Sequence, residues 1–147
     1  MLKPLFDISA TLAPPVTLGV APAGERRMIA ITGGRVTGRI DGEIMPGGAD
    51  WQILRPDGFA DIDARYLIRT AQGALVEVWS RGLRHGSAEA MRKLAAGEPV
   101  DPSEYYFRTA LRFETADRSL GWLTRTLAIG VGERQPQAVI IRVFEVL

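Results

Sequence analysis

Two segments of the chain carry side chains on one face that could do acid–base chemistry. Strict alternation along each segment places Asp63 with Arg65, and Arg108 with Glu114, on a shared face. When carboxylates and guanidinium groups are buried together they shift each other's pKa values, and they then act as general acids, general bases and oxyanion donors. We call the whole set the charged face, and its members are Asp61, Asp63, Arg65, Tyr106, Arg108, Arg112 and Glu114.

The alternation leaves the direction of the charged face open. If it points to solvent, its residues are ordinary strand residues that pair across a sheet and contribute little energy. If it points into an enclosed space, arginines, carboxylates and phenols surround any ligand held there. These two orientations predict different proteins, and periodicity alone does not choose between them.

Several other site chemistries are excluded by composition. The chain has no Cys and one His, so it cannot form disulfides, use thiolate catalysis, bind zinc through Cys or build a site from two imidazoles. His85 is interpreted as a turn residue and Ser87 as a helix cap, rather than as a catalytic pair. The neighbouring carboxylates Asp61 and Asp63 are interpreted as solvated strand residues, and the Gly-Gly pairs as turns. We therefore predict neither a metal nor a cofactor.

Length and charge indicate the number of domains and the kinds of partner to expect. At 147 residues with 46% hydrophobic residues, the chain is predicted to form one globular domain over residues 1–147. Its 18 basic and 17 acidic residues give a net charge of +1, which favours neither nucleic acid nor an anionic membrane as a partner. Because no targeting signal or membrane-length apolar run is visible, we expect a cytoplasmic protein.

The elements that position the charged face are predicted to be short strands. The chain's 16 Gly and 9 Pro fall between apolar segments and divide it into alternating stretches. Asp41-Gly42 and Asp57-Gly58 are predicted to be type I′ turns. The predicted strands are 26–32, 35–40, 43–45, 51–55, 59–69, 74–81, 105–114, 120–129 and 138–146, with 130–137 as a loop.

One segment has helical character instead. Ser87 can cap a helix over residues 87–96, and Gly97 can end it. About eight to ten antiparallel strands with one short helix must hide the edges of their sheet, and closure into a barrel does so economically. The sequence therefore predicts an all-β protein with a closed antiparallel barrel, and a sandwich of two sheets is the alternative.

Six short motifs in the chain resemble, in order, those of the domain-of-unknown-function 3237 family. The motifs are 47–51 (GGADW), 55–58 (RPDG), 63–66 (DARY), 106–109 (YFRT), 113–115 (FET) and 122–124 (WLT). The resemblance extends from about Leu2 to Val146 and implies a closed, lipocalin-like β-barrel that is often a homodimer. Most members have no assigned activity, while some fungal relatives occur among natural-product enzymes. One departure is Thr124, where relatives usually have Asn.

The resemblance favours the inward orientation of the charged face, because the same charged and aromatic residues recur on several strands of the family. Under this hypothesis the lumen binds a small molecule, and Asp63 or Glu114 is the general base or acid. The predicted ligand-binding residues are Trp51, Arg65, Tyr66, Tyr106, Arg108 and Trp122.

The predicted function is that of a small-molecule-binding barrel, in one form a cofactor-free enzyme. Its reaction would be lactonisation, hydrolysis, dehydration or isomerisation of an aromatic or polyketide-like acid. A carrier or sensor that binds such a ligand without turnover is one alternative. A structural interaction module with a dry, filled interior is the other.

Overall fold

The computed structural model describes residues 1–147 as ten strands, one α-helix and two 3₁₀ helices. The strands are β1 (Leu2–Leu12), β2 (Val16–Ala21), β3 (Gly24–Gly38), β4 (Gly42–Ile44), β5 (Gly48–Leu54), β6 (Ala60–Thr70), β7 (Leu75–Gly86), β8 (Tyr105–Thr115), β9 (Ala128–Gln135) and β10 (Ala138–Val146). The helix α1 is Ala88–Ala95, and the 3₁₀ helices are Pro102–Glu104 and Arg118–Arg125. None of the helices is long and apolar enough to cross a membrane.

The sheet closes on itself through the first strand. β1 pairs with β10 along one edge and with β3 along the other, and every pairing in the sheet is antiparallel. The circuit runs β1, β10, β9, β8, β7, β6, β5 and β3, which makes a closed barrel of eight strands. The short β4 also bridges β3 and β6, and β2 pairs only with β3. The predicted closed antiparallel barrel is confirmed.

Alternation of side chains sets the inside of the barrel. Along β6 every second residue from Ala60 to Thr70 is buried, and the residues between them face outward. The buried side chains form a cluster of 19 residues that includes Leu123 and a cluster of 6 that includes Ala90 and Met91. The 3₁₀ helix Arg118–Arg125 and helix α1 therefore each contribute to a different apolar cluster of the interior.

Helix α1 forms as its sequence predicts, whereas the turn beside it is of a different type from the predicted one. The Ser87 hydroxyl accepts a hydrogen bond from the Ala90 amide at 3.1 Å, which is the expected N-cap. The prediction of a type I′ turn at Asp57-Gly58 is wrong, because this turn type needs a positive φ at both residues, and only Gly58 has one, at +87°. The Gly58 amide instead donates to the Arg55 carbonyl at 2.9 Å. The prediction of a type I′ turn at Asp41-Gly42 is wrong, because Gly42 lies in β4 and its φ is not positive.

The predicted strand 120–129 and loop 130–137 are both wrong. Residues 118–125 form a 3₁₀ helix whose start is fixed by Asp117, since its carboxylate accepts hydrogen bonds from the amide and hydroxyl of Ser119. The chain then enters β9, where Gly130 and Gly132 occupy inward positions. Glycine is unfavourable inside a strand, and at these inward positions it interrupts the apolar alternation. The sequence pattern therefore did not reveal β9. The predicted break at Gly33-Gly34 is also absent, because β3 is continuous.

Gly132 allows β9 to approach Phe107 closely. A Cβ atom placed on Gly132 would lie 2.7 Å from the Phe107 ring, so Gly132→Ala forces the wall apart. We expect this substitution to lower the free energy of unfolding by about 1 to 3 kcal/mol in urea denaturation. Gly121→Ala is the matched control, because nothing lies within 4 Å of a Cβ there. Equal effects of the two substitutions would contradict this explanation.

Candidate functional site

The interior of the barrel contains a cavity with polar and apolar walls. Its volume open to water is about 40 Å³, enough for roughly three water molecules. Eleven of its 17 lining residues are hydrophobic, and Tyr66 is one of them. The residues with polar side-chain atoms, including Tyr66, form what we call the interior site and come from five strands, β5 to β9. The interior site consists of Asp50, Gln52, Tyr66, Ser80, Arg84, Thr109 and Arg134.

Strand alternation explains how polar side chains reach this cavity. On β7 the residues at even positions point inward, so Ser80 and Arg84 continue the row begun by Val76 and Val78. On β8, Thr109 lies in the inward row in the same way. On β5 the polar pair Asp50 and Gln52 points inward, whereas the aromatic residue between them faces solvent.

Four buried polar atoms in the cavity have no hydrogen-bond partner within the protein. They are the Tyr66 hydroxyl, the Ser80 hydroxyl, Arg84 Nε and the Thr109 hydroxyl, and their residues are at most 6% exposed. Each such group costs about 1 to 3 kcal/mol relative to a satisfied one. Only one other buried side-chain atom, Arg26 Nε, lacks a partner, and Arg26 does not line the cavity. The unsatisfied donors therefore converge on one place, as a ligand site requires.

Asp50 is held by a chain of hydrogen bonds. Its Oδ1 accepts the backbone N–H of Asp63 at 3.0 Å, and its Oδ2 accepts Gln52 Nε2 at 2.7 Å. Gln52 Oε1 in turn accepts Arg27 Nε at 2.8 Å. These bonds fix the carboxylate and leave each oxygen with a further lone pair for a ligand proton.

The electrostatics of the site follow from burial. Burial raises the pKa of Asp50, and the bonds from Gln52 and Asp63 and the charges of Arg84 and Arg27 oppose that rise without cancelling it. Burial lowers the pKa of Arg84 to about 10, and Arg27 and Arg134 add repulsion. Burial raises the pKa of the Tyr66 hydroxyl. Tyr66 is therefore a neutral donor, whereas Asp50 is a stronger base than an exposed carboxylate.

Positive charge exceeds negative charge around Asp50. Arg27, Arg84 and Arg134 influence one another electrostatically, and Asp50 is the carboxylate that attracts all three. None of these arginines forms a salt bridge within 4.0 Å. The Arg84 guanidinium lies 5.8 Å from the Phe107 ring centre, within cation–π range. This excess positive charge favours an anionic ligand.

The predicted inward orientation of the charged face is wrong. Asp63, Arg65 and Glu114 are exposed on the outside of the barrel, because the apolar residues between them fill the interior. Arg65 Nε donates to Glu77 Oε2 at 2.7 Å on that outer surface. A catalytic role for Asp63 or Glu114 stays a prediction, but neither side chain lines the interior cavity.

Trp51, Arg65 and Tyr66 line a common depression outside the interior cavity, and the other predicted ligand-binding residues do not line it. Trp51 and Tyr106 are each 46% exposed, and Tyr106 stacks on His85 with ring centres 5.2 Å apart. Arg108 is half-buried and donates from Nη1 to the Phe107 carbonyl at 2.9 Å. Trp122 lies in the 3₁₀ helix against the larger apolar cluster. Among the eight predicted site residues only Tyr66 reaches the cavity.

Sequence reasoning missed Asp50, Gln52 and Arg84, although a signal existed for Arg84. It stands in the even-numbered row of β7, which begins with the apolar residues Val76 and Val78. A polar residue in register with an apolar row is a buried polar residue. Asp50 and Gln52 gave no such signal, because their neighbours Trp51 and Ile53 are the apolar ones.

The structure brings no three His, Asp or Glu side chains close enough together to hold a metal ion. The site offers one carboxylate, arginines and hydroxyl groups. Such a set can bind an oxyanion and move a proton.

Tyr66 offers a direct test of the unsatisfied hydroxyl. Tyr66→Phe removes a buried group that bonds to nothing in the protein, so we expect the free energy of unfolding to stay equal or rise by up to about 1 kcal/mol. Tyr105→Phe is the control, since the Tyr105 hydroxyl accepts the Arg134 amide at 3.0 Å, and it should lose about 1 kcal/mol. Urea denaturation measures both. A clear loss in Tyr66→Phe would mean that its hydroxyl is already satisfied.

Comparison with known proteins identifies the family of this barrel. The model of the family described as a protein of unknown function (DUF3237) matches residues 1–146. The chain belongs to the DUF3237 family. The predicted family is thereby confirmed. A UPF0311 protein of Bradyrhizobium diazoefficiens is 41% identical to this DUF3237 chain over 145 residues, covering 99% of the chain and 95% of the relative.

Solved structures share the DUF3237 barrel. A protein of unknown function from Rhodopseudomonas palustris has a TM-score of 0.95 and 42% identity, covering 100% of this chain and 97% of the other. A β-barrel-like protein from Acinetobacter baumannii has a TM-score of 0.87 and 44% identity, covering 99% and 94%. An enzyme from Penicillium herquei is 22% identical, with a TM-score of 0.71 and coverage of 97% and 93%. This last likeness shows a common fold alone.

Proposed function

We propose that the protein binds a small organic anion at the interior site and transfers a proton to or from it through Asp50. The observation that carries this proposal is the convergence of four unpartnered buried polar atoms on one cavity beside a carboxylate. A filled structural core would leave no reason for such atoms. The proposed ligand is an aromatic or polyketide-like acid, the class that the family resemblance implies.

The proposed chemistry is hydrolysis, lactonisation, dehydration or isomerisation without a cofactor. Each of these reactions removes or delivers a proton beside a developing oxyanion. Asp50 is the base, because burial raises its pKa and makes it a better proton acceptor. Arg84 stabilises the oxyanion with its unpartnered Nε, and the Tyr66 hydroxyl donates a second bond.

A carrier or sensor is the second candidate, and one observation favours it. Both Asp50 oxygens already accept hydrogen bonds from the protein, as they would if the carboxylate only oriented Gln52 and Arg27. In a carrier the ligand is bound by the same arginine and hydroxyls and is released unchanged.

A ligand screen followed by product analysis tests the proposal. The purified protein is heated with aromatic acids, phenols and lactones, and a ligand at about 100 times its Kd should stabilise it by about 2.7 kcal/mol. Each stabilising compound is then incubated with the protein and analysed by mass spectrometry. A changed compound supports the enzyme, and an unchanged one supports the carrier. Stabilisation by none of the compounds, together with a Tyr66 hydroxyl that is already satisfied, would favour the structural module.

Homodimerisation also remains a proposal, and β2 is the surface to test. This edge strand pairs only with β3, carries no charge and exposes Val16, Leu18 and Val20 by 54%, 60% and 87%. An uncharged strand can pair antiparallel with its own copy about a two-fold axis without like-charge repulsion.

Light scattering after size-exclusion chromatography measures the association. We expect the mass of two chains for the wild type and of one chain when Leu18 and Val20 are both replaced by Lys. Leu127→Lys, at a residue that is 59% exposed elsewhere, should leave the dimer intact. A wild type with the mass of one chain would rule out this use of β2.

A further inference from the structure

A second depression adjoins the interior site at the α1 end of the barrel. Its volume open to water is about 320 Å³, far larger than the cavity itself. Arg84 lines both spaces, so its side chain lies at the boundary between them. We call this depression the vestibule. Its apolar wall consists of Leu54, Pro56, Ala88, Met91 and Ala95.

The sizes of the two spaces determine what each can hold. About 40 Å³ open to water accommodates an acidic or carbonyl head group but no ring system. The vestibule has the volume of a typical small-molecule pocket. A ligand whose head contacts Arg84 within the barrel therefore needs a second space for its body, and the vestibule is a larger space that Arg84 also lines.

The walls of the vestibule match such a body. Ala88, Met91 and Ala95 share one face of α1, since they are spaced three and four residues apart. Four arginines and two carboxylates complete the lining, namely Arg27, Arg55, Arg84, Arg92, Glu25 and Asp57. This excess of positive charge attracts anions toward the opening.

Resting on the proposed function, we infer that the ligand is an acid in two parts: a compact anionic head at Arg84 inside the barrel, and an apolar, ring-sized body in the vestibule against α1. The head supplies the hydrogen-bond acceptor that Arg84 Nε lacks. The body supplies affinity through contact with the exposed small residues of the helix. Short acids without a body are then weak ligands of the same site.

Two probes separate head from body. Acetate and benzoate carry the same head, and the second adds one ring. Isothermal titration should show benzoate binding at least ten-fold more tightly than acetate to the wild type. Arg84→Met should weaken both probes.

A substitution in the vestibule then isolates the body. Ala95→Trp fills the space from an exposed helix position that lines the vestibule, so we expect at least ten-fold weaker binding of benzoate and less than two-fold change for acetate. Ala96→Trp is the matched control, because Ala96 is exposed but lies outside the vestibule.

The outcomes distinguish this inference from the proposed function. If acetate binds through Arg84 while the added ring and Ala95→Trp change nothing, the two-part ligand is wrong and the anion site stands. If Ala95→Trp and Ala96→Trp weaken benzoate binding equally, the effect comes from the helix, and the vestibule is likewise not the site. If neither probe binds the wild type, the proposed anion site and the inference both fail.

Discussion

Asp50→Asn is expected to slow turnover of a substrate by about 10²- to 10⁴-fold, the usual contribution of a general base, while substrate affinity changes little. The side chain keeps its size and can still accept the Asp63 amide, but it can no longer take up a proton. Steady-state kinetics on a substrate found in the ligand screen measure the effect as a fall in kcat at nearly constant KM.

The pH dependence gives this prediction a second readout. Since Asp50 must be ionised to act as a base, the rate should fall as the pH drops through its pKa, which burial holds above the usual 3.8. The same ionisation of Asp50 has the opposite effect on the stability of the fold. A carboxyl whose folded pKa is raised stabilises the fold fully below its unfolded pKa, and that contribution is lost as the pH rises through the folded value.

The outer carboxylates are the controls for Asp50. Asp63→Asn and Glu114→Gln change residues that are exposed on the outside of the barrel, and both should retain wild-type kcat. If either abolishes turnover while Asp50→Asn does not, the reaction occurs on the outer surface and the interior assignment is wrong. If all three variants retain turnover, none of these three carboxylates is the base, and the assignment of Asp50 is wrong.

The second large effect is expected from Arg84→Met, which should weaken anion binding by at least 30-fold, corresponding to about 2 kcal/mol, and at the same time raise the melting temperature. Binding weakens because Arg84 is the buried cation whose Nε has no partner in the protein. Stability rises because a poorly solvated charge is replaced by an apolar chain of similar length.

The rise in melting temperature has a definite size. Removing an unsatisfied buried group recovers about 1 to 3 kcal/mol, and each kcal/mol moves the melting temperature of a domain of this size by roughly 2 to 4 °C. Arg81→Met on the same strand is the control, because the Arg81 side chain is 75% exposed and its only ion pair, with Asp63, is 3.6 Å long. It should change neither quantity. A destabilised Arg84→Met with unchanged binding would make Arg84 a structural residue.

The barrel was predictable because its main signals are local. Alternation along residues 59–69 and 105–114 identified β6 and β8 to within one residue at each end, and Ser87 marked the start of α1. β1 and β2 were not predicted, since prolines at positions 4, 14 and 15 disrupt their pattern. β1 becomes a strand through its long-range pairing with β10 and β3, which no local pattern reveals.

The site was predicted less well for a physical reason. Charge density drew attention to the outer face, where Asp63 and Arg65 are expected on solvation grounds alone. Tyr66 was predicted through the family motif at residues 63–66, and it lies inside the barrel because it belongs to the apolar row of β6. Arg84 could have been found from its place in the corresponding row of β7, whereas Asp50 could not, because its inward position depends on the pairing of β5 with β3 and β6.

The closure of the barrel by β1 has a consequence for the protein's synthesis. β1 is made first, yet its partner β10 ends at Val146, and the Leu147 amide donates to the Met1 carbonyl at 3.0 Å. The wall around Asp50 and Arg84 therefore cannot be completed until the last strand has left the ribosome. Until then one edge of β1 is unpaired. A chain stopped before residue 138 would have β1 paired to β3 alone, and the cavity would be exposed to water where β10 is missing.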